Sequence, residues 1–304
     1  MIIGAGSVGG YIGAKLQMAK DQVTFIVREK RREQLTKGLN IVTPEGRFQL
    51  NVDARTSTED VEDCDVAIIA VRNYNLPEVI DHVRSLAKKG AKLISLLNGV
   101  EHIEKISAET GKDSIIGGSA YIDSRLGANG EIIHRSQRPK LVLGQIQKNP
   151  DKFTVDVADD INRAGIHTIV VNDLMLALWQ KYLFVTSGSL TAVFQQPIGK
   201  ILEDEYGTAT IFRILNEMKA IGSLLRVKIG DKNVEEAYRE LKRQKSDWTS
   251  LLYEDLLAGR KTEMDALWGY LIRKARELQY DAMNSLFCYA ILRIRERSRQ
   301  GHSD

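Results

Sequence analysis

The chain has 304 residues and a formal net charge of +3, from 43 Lys and Arg against 40 Asp and Glu. This length suggests about two domains, and so small a net charge predicts no nucleic-acid or membrane partner. Cys64 and Cys288 lack metal-ligand spacing, so we expect two reduced thiols in a cytoplasmic protein. We expect no signal peptide, and apolar runs such as residues 66–71 are far shorter than the ~20 residues of a membrane span.

The N-terminal stretch carries the pattern G-x-G-x-x-G at Gly4, Gly6 and Gly9, after an apolar strand and before a helix-forming segment. This context is typical of a dinucleotide-binding turn: the first glycine makes the turn, the second lets the backbone approach a pyrophosphate, and the third lets helix and strand pack. Ser7 and Val8 lie at the helix N-terminus that faces the phosphates, and they are predicted cofactor contacts. An ordinary glycine-rich turn is the alternative.

A second predicted strand, residues 22–27, is followed by Arg28. An NAD site ordinarily has a carboxylate here for the ribose 2'-hydroxyl. A guanidinium instead pairs bidentately with the 2'-phosphate of NADP, so the pattern favours NADPH. Lys30, Arg31 and Arg32 either add charge to this site or are the solvated start of the next helix.

Strands and helices alternate through the first half of the chain. Strands are predicted at residues 22–27, 39–42, 48–52, 65–71, 91–97, 115–121, 132–134, 141–143 and 167–171, with a turn at 44–46 and helices at 76–86 and 153–164. We therefore expect an α/β fold over residues 1–171, an NADP-binding Rossmann domain with a doubly wound sheet and some antiparallel additions. Only three residues precede Gly4, fewer than the usual five or six or so, so we expect the first strand to lack a few N-terminal residues.

From residue 172 onward the pattern changes to long windows of 3.6-residue periodicity. Helices are predicted at residues 174–194, 209–227, 234–245, 250–257, 264–278 and 283–294. Residues 172–304 are thus predicted to form an all-α domain that carries the substrate and catalytic residues. Its apolar helices serve either the core or a homodimer interface, which periodicity does not separate.

Four positions are candidates for chemistry, each with a plainer alternative. Asn98 follows the fourth parallel strand, where nicotinamide and substrate would meet, or it belongs to a simple Asn-Gly turn. Arg72 ends the 65–71 strand and is directed to the cofactor, or it is a surface charge. Lys181 lies in an apolar stretch and either snorkels to water or lines a pocket that lowers its pKa for acid–base work. Glu263 either has a role in the site or only favours the dipole of a helix that Thr262 caps.

Taken together, the residues resemble the ketopantoate reductase (2-dehydropantoate 2-reductase) family. The motifs span nearly the whole chain in order: Gly4-x-Gly6-x-x-Gly9, Arg28, Arg72, Leu97-Asn98-Gly99-Val100, Trp179-x-Lys181, Leu190-Thr191-Ala192 and residues 259–265. The resemblance implies a Rossmann domain, a helical C-terminal domain, and NADPH-dependent reduction of 2-dehydropantoate to pantoate on the route to pantothenate and coenzyme A.

The resemblance also implies residue roles. Lys181 matches the catalytic lysine that protonates the substrate oxygen as hydride reaches the keto carbon. Glu263 matches a second catalytic residue that also binds substrate, and Asn98 matches an active-site asparagine in contact with cofactor and substrate. Ser189 and Ser250 stand at substrate-binding positions. Hydride addition to a ketone creates an alkoxide that a nearby cationic acid stabilises, which needs no metal.

Several positions depart from the family. Arg72 replaces a usual lysine and keeps its charge, whereas five positions where the family often has glutamine, asparagine or serine differ: Leu97, Val185, Ser189, Leu251 and Trp268. A site built for a substrate hydroxyl or carboxylate loses discrimination when its polar partners vanish. Ketopantoate and a bulkier or more apolar 2- or 3-oxo acid therefore both stay open as the small-molecule substrate. The alternative to a reductase is a protein of another functional class, one that binds NADP without catalysing a reaction.

Overall fold

The computed structural model describes residues 1–44, 46–136, 138–146 and 149–300. Glu45, in the expected turn at 44–46, and the last four residues of the expected second domain lie outside the described residues. The chain divides into two compact units: unit 1 contains Met1–Leu97 and His102–Ala177, and unit 2 contains Asn98–Glu101 and Leu178–Asp304. The domain boundary after residue 171 stays a prediction.

Unit 1 is built on two sheets. Its strands are β1 Ile2–Ile3, β2 Thr24–Ile26, β3 Leu39–Thr43, β4 Gly46–Leu50, β5 Asp53–Arg55, β6 Val66–Ile69, β7 Lys92–Ser95, β8 Ile115–Tyr121, β9 Ser124–Leu126, β10 Ile132–His134, β11 Lys140–Gln145 and β12 His167–Val171. The larger sheet has the order β12-β11-β8-β7-β6-β1-β2-β5, and the smaller has the order β4-β3-β10-β9. In the larger sheet the pairs are parallel except β8 with β11.

The centre of the larger sheet explains the apolar runs of the sequence. Strand β1 lies between β2 and β6, with Ile2 opposite Phe25 on one side and Ile68 on the other. All three side chains are almost fully buried, as expected for parallel strands covered on both faces. The carboxyl ends of β1, β2 and β6 consequently share one edge. The predicted Rossmann-type sheet with antiparallel additions is confirmed.

The helices of unit 1 follow the strands. They are α1 Ser7–Met18, α2 Glu29–Leu35, α3 Leu76–Lys88, α4 Glu101–Thr110, whose first residue belongs to unit 2, and α5 Lys152–Arg163. Short 3-10 turns occur at Asn73–Asn75 and Lys112–Ser114. Helix α4 was not predicted from the sequence, and α2 was predicted only as one of two alternatives for residues 30–32. Leu35 is the buried side chain of α2, so that helix has almost no apolar periodicity to detect.

Unit 2 is helical, as predicted. Its helices are α6 Leu174–Gly188, which begins in unit 1, α7 Leu190–Phe194, α8 Ile198–Glu203, α9 Glu205–Leu224, α10 Asp231–Arg243, α11 Leu251–Leu257, a π-helical turn at Asp265–Gly269, α12 Tyr270–Glu277 and α13 Met283–Gln300. Trp179, Tyr182 and Trp268 are its largest fully buried side chains. Across the described ranges, every helix falls short of the length and apolar character that crossing a membrane requires.

The sequence did not predict α8, and the ends of several other helices of unit 2 differ by a few residues from the prediction. Two predicted helices differ in their course. The helix expected over 174–194 is interrupted at Ser189, whose hydroxyl donates to the carbonyl of Thr186 at 2.6 Å. Such back-bonding by a serine competes with helix continuation. The helix expected over 264–278 begins with the π-helical turn, a local widening that is frequent at functional sites.

Candidate active site

The turn between β1 and α1 requires glycine at two of its positions. Gly4 has a φ of +99°, and a Cβ built on it would lie 2.8 Å from Val71 Cγ1. A Cβ on Gly9 would lie 2.1 Å from the carbonyl oxygen of Gly4, closer than atoms approach without displacement. These two glycines therefore shape the turn itself, in the roles that the sequence predicts for them.

Gly6 differs from the other two glycines because the protein itself does not need it to be glycine. Its φ is −78°, which any residue adopts, and a Cβ built there would meet no atom of the described residues within 4 Å. It is the N-cap of α1, whose first residues, Ser7 and Val8, carry no acidic group. The turn thus leaves open space beside backbone N–H groups at a helix N-terminus, which fits the pyrophosphate of a dinucleotide.

The basic segment after β2 contains two arginines with defined partners, Arg28 and Arg31. Neither added charge at the cofactor site nor a solvated helix start describes Arg31 fully. Arg28 is the N-cap of α2, and its guanidinium pairs with Glu78 at 2.5 Å. Arg31 is partly buried: its Nε donates to the carbonyl of Ala5 at 3.0 Å, and its Nη1 donates to that of Gly130 at 2.9 Å. Burial lowers the pKa of Arg31. Arg31 is thus an anchor for the glycine turn.

The sequence pointed to Arg31 only as one of three basic residues with Lys30 and Arg32, and it did not point to Glu78. The two backbone acceptors of Arg31 lie 26 and 99 positions away along the chain, so no local spacing points to them. Glu78 is an ordinary acid in the first turn of α3. Arg72 lies beyond the end of β6 as the N-cap of the 3-10 turn Asn73–Asn75. The cofactor roles of Arg28 and Arg72 stay predictions.

In unit 2, three polar side chains from distant segments come together. Asn98 Nδ2 donates to Glu263 Oε2 at 3.1 Å, although the residues are 165 positions apart. Glu263 is only 7% exposed. Its negative charge acts on Lys181, which lies on α6 beside the fully buried Tyr182. The structure therefore brings together Asn98, Lys181 and Glu263, the three residues on which the predicted chemistry depends.

Lys181 has the electrostatics of an acid–base group. Burial lowers its pKa from 10.5 to about 8, and the negative charge of Glu263 opposes that shift. An amine with such a pKa is still mainly protonated at neutral pH, yet it releases its proton more readily than an exposed lysine. Lys181 is partly buried beside a carboxylate. Its place in a substrate pocket stays a prediction.

Glu263 is positioned by the segment around it. The backbone N–H of Thr262 donates to Glu296 on α13 at 2.8 Å, and Thr262 Oγ1 accepts from the N–H of Met264 at 3.3 Å. The N-cap of the following π-helical turn is Met264. The bond from the N–H of Met264 to Thr262 Oγ1 is of the kind that caps a helix N-terminus, so a role of Glu263 beyond favouring that helix end stays a prediction. Gly99, with a φ of +80°, packs so closely on this turn that a Cβ would lie 3.0 Å from a carbonyl oxygen.

The two serines predicted to bind substrate have partners inside unit 2. Ser189 is fully buried, and besides its bond to Thr186 it accepts from the indole Nε1 of Trp268 at 2.8 Å. Ser250 caps α11 by accepting from the N–H of Tyr253, and it also accepts from Thr191 Oγ1 at 2.9 Å. Their contact with substrate stays a prediction, because the structure gives both hydroxyls structural partners.

A dinucleotide-binding turn on a Rossmann sheet, together with a lysine held beside a carboxylate and an amide, defines a nicotinamide-dependent oxidoreductase. The chain belongs to the ketopantoate reductase PanE/ApbA family: residues 1–148 match the model of that family, and residues 173–296 match the model of its C-terminal domain. The resemblance found in the sequence is confirmed. The protein is an oxidoreductase of a family of NAD(P)H-dependent 2-keto acid reductases, not a non-catalytic nucleotide-binding protein.

Similar proteins cover the chain almost completely. It is 32% identical to YkpB of Bacillus subtilis, described as an uncharacterized oxidoreductase, over 98% of this chain and 99% of that protein. It is 26% identical to a 2-dehydropantoate 2-reductase of Nostoc sp., over 91% and 88%. Two solved structures share the fold: a dimeric ketopantoate reductase from Staphylococcus aureus (TM-score 0.82, 22% identity, 98% of each chain) and D-mandelate dehydrogenase with NADH and anilino(oxo)acetate (TM-score 0.88, 17% identity, 98% and 99%).

Proposed function

We propose that this protein reduces a 2-keto acid with NADPH, and that 2-dehydropantoate is its substrate, with pantoate for pantothenate and coenzyme A synthesis as the product. The observation that carries the proposal is the cluster of Asn98, Lys181 and Glu263, in which a cation with a pKa near 8 lies beside a carboxylate. The relatives named 2-dehydropantoate 2-reductase support the choice of substrate. Arg28 supports the choice of NADPH, because a guanidinium suits a 2'-phosphate.

Each residue of the site has its own role in the proposed reaction. NADPH, when bound, supplies the hydride. The Gly4–Gly9 turn holds the pyrophosphate at the N-terminus of α1. The ammonium of Lys181 attracts the keto oxygen and gives it a proton from Nζ as the carbonyl becomes an alcohol. Glu263 favours the charged form of Lys181, and Asn98 orients the Glu263 carboxylate by its hydrogen bond. Solvent then restores the proton on Lys181.

A second substrate class is favoured by a separate observation. Val185 lies one helical turn after Lys181, on the same side of α6, where the family often has asparagine. The hydroxyl of Ser189 is engaged by Thr186 and Trp268. These positions leave fewer polar partners for a hydroxylated substrate tail, so a 2-keto acid with an apolar or aromatic group fits them better. The anilino(oxo)acetate in the D-mandelate dehydrogenase structure likewise carries an aromatic group beside an oxo group and a carboxylate.

We also propose that the protein forms a homodimer through the outer side of α13. Met283, Phe287 and Ile294 are 60%, 67% and 66% exposed, and their spacing places them along one side of the helix. The dimeric relative from S. aureus supports this proposal. Phe287→Glu should convert the dimer to a monomer in light scattering, whereas Tyr206→Glu, at a 74% exposed aromatic on α9, should not. A monomeric wild-type protein would contradict the proposal.

The cytoplasmic location stays a prediction.

The test of the catalytic proposal is NADPH oxidation, followed by absorbance, with 2-dehydropantoate, phenylglyoxylate and short aliphatic 2-keto acids. Selective turnover of 2-dehydropantoate supports the first substrate, and selective turnover of phenylglyoxylate supports the second class. The Lys181→Met variant is the control, because it should bind NADPH with nearly unchanged affinity and lose turnover. Wild-type protein that binds NADPH and reduces none of these acids would contradict the proposed function.

A further inference from the structure

Glu78 lies beside Arg28, the residue that is proposed to distinguish NADPH from NADH. Arg28 comes two residues after the end of β2, and Glu78 lies in the first turn of α3, which follows β6. Strands β2 and β6 are the two neighbours of β1, and all three are parallel. Arg28 and Glu78 therefore lie at the carboxyl edge of the sheet, on either side of the glycine turn.

The two side chains form an ion pair that a ligand can replace. Arg28 Nη2 lies 2.5 Å from Glu78 Oε2, and the side chains are 65% and 54% exposed. An ion pair this exposed contributes little to folding, because water and salt screen both charges. The pair therefore has little structural value, yet it fixes a carboxylate within contact distance of the guanidinium that is proposed to bind the 2'-phosphate.

We propose that Glu78 sets the cofactor preference by opposing NADPH. This inference rests on the proposed role of Arg28. The 2'-phosphate of NADPH must displace Glu78 from Arg28 and then remain near a second negative charge, which lowers its affinity. NADH carries a 2'-hydroxyl there, which can donate a hydrogen bond to the carboxylate, the arrangement typical of NAD sites. Arg28 and Glu78 thus act in opposite directions, and NADH is a usable second cofactor.

The experiment compares cofactor affinities and does not depend on turnover. NADPH and NADH are titrated, by cofactor fluorescence, into the wild-type protein and the Glu78→Gln variant. Because the variant removes the charge and keeps the shape, we expect NADPH affinity to rise about tenfold and NADH affinity to stay equal or fall. The control is Asp156→Asn on α5, which removes the same charge from an ion pair of similar exposure near the opposite end of the sheet. It should change the affinity ratio less than about twofold.

An unchanged ratio of NADPH to NADH affinity in Glu78→Gln would overturn the inference, as would an equal change in Asp156→Asn. An additional variant, Arg28→Ala, separates this result from a failure of the proposed function. If Arg28→Ala weakens NADPH binding and Glu78→Gln has no effect, only the role of Glu78 is wrong. If Arg28→Ala leaves NADPH binding intact, the proposed use of Arg28 is wrong, and the role of Glu78 is wrong with it.

Discussion

The glycine turn of unit 1 and the polar cluster of unit 2 are built by opposite means. In the turn, function depends on side chains that are missing, because a methyl group on Gly9 would collide with the backbone of Gly4. In the cluster, function depends on charges that the protein keeps away from water, and burial of Lys181 costs stability. The first region should therefore be damaged by additions, and the second should lose activity but gain stability when its charge is removed.

The largest effect is expected for Lys181→Met. We expect kcat/KM to fall about a thousandfold or more, because the proton donor is lost. At the same time the free energy of unfolding should rise by about 1–2 kcal/mol at pH 7. The shift of the Lys181 pKa to about 8 corresponds to about 3 kcal/mol, reduced because the side chain is partly exposed. Steady-state kinetics and urea unfolding measure the two quantities.

The control for Lys181→Met is Lys200→Met, which removes a 65% exposed lysine from a surface ion pair. It should change neither activity nor stability by a measurable amount. Normal turnover of Lys181→Met would show that the proton comes from another group, and a strong loss of stability would show that Lys181 is a structural cation.

The next effect separates two glycines that look alike in the sequence. Gly9→Ala should destabilise the protein by about 2–3 kcal/mol, because the turn must shift to admit the methyl group. Gly6→Ala should change the free energy of unfolding by less than about 0.5 kcal/mol, since its Cβ meets no described atom. It should still weaken NADPH binding about tenfold or more by filling the space of the pyrophosphate. Full NADPH affinity in Gly6→Ala would mean that the pyrophosphate does not lie there.

The pH dependence of kcat tests the buried polar cluster of unit 2. The acid must be protonated to act, and burial sets the pKa of Lys181 at about 8. We therefore expect kcat to be level below pH 8 and to fall about tenfold per pH unit above it. Glu263→Gln removes the charge that raises this pKa, so the fall should begin at a lower pH. A profile that stays level to pH 10 in the wild-type protein would exclude Lys181 as the acid.

The sequence predicted the glycine turn better than the polar cluster, and the reason is physical. The glycine turn is local: spacing, the preceding strand and the following helix all lie within about twenty residues, so the pattern predicts the structure. Asn98 and Glu263 meet across 165 positions, and no local spacing predicts that contact. Only the resemblance to a family joined them with Lys181. The contacts of Arg31 and the residue Glu78 were not predicted, because their partners are backbone carbonyls and a surface arginine on other elements.

The helices of unit 2 show the same limit. Periodicity predicted one helix over 174–194, yet the helix is interrupted at Ser189, whose hydroxyl donates to the carbonyl of Thr186 and accepts from Trp268. The sequence around Ser189 does not reveal a partner 79 positions away. The π-helical turn at Asp265–Gly269 was not predicted either. Residues 266–272 are all buried, so this stretch has no alternation of apolar and polar positions in which an extra residue would show.

The smallest effect tests whether Ser189 belongs to the substrate site or to the core. If its main partner is Trp268, Ser189→Ala leaves the buried indole N–H without an acceptor and should destabilise the protein by about 1–3 kcal/mol, with KM changed less than about threefold. Ser187→Ala, two positions earlier on α6, is the matched control. The Ser187 hydroxyl donates to the carbonyls of Leu183 and Phe184, so its loss leaves no N–H donor without an acceptor. In a Trp268→Phe background the stability effect of Ser189→Ala should nearly vanish. A large rise in KM with unchanged stability would instead place Ser189 in contact with substrate.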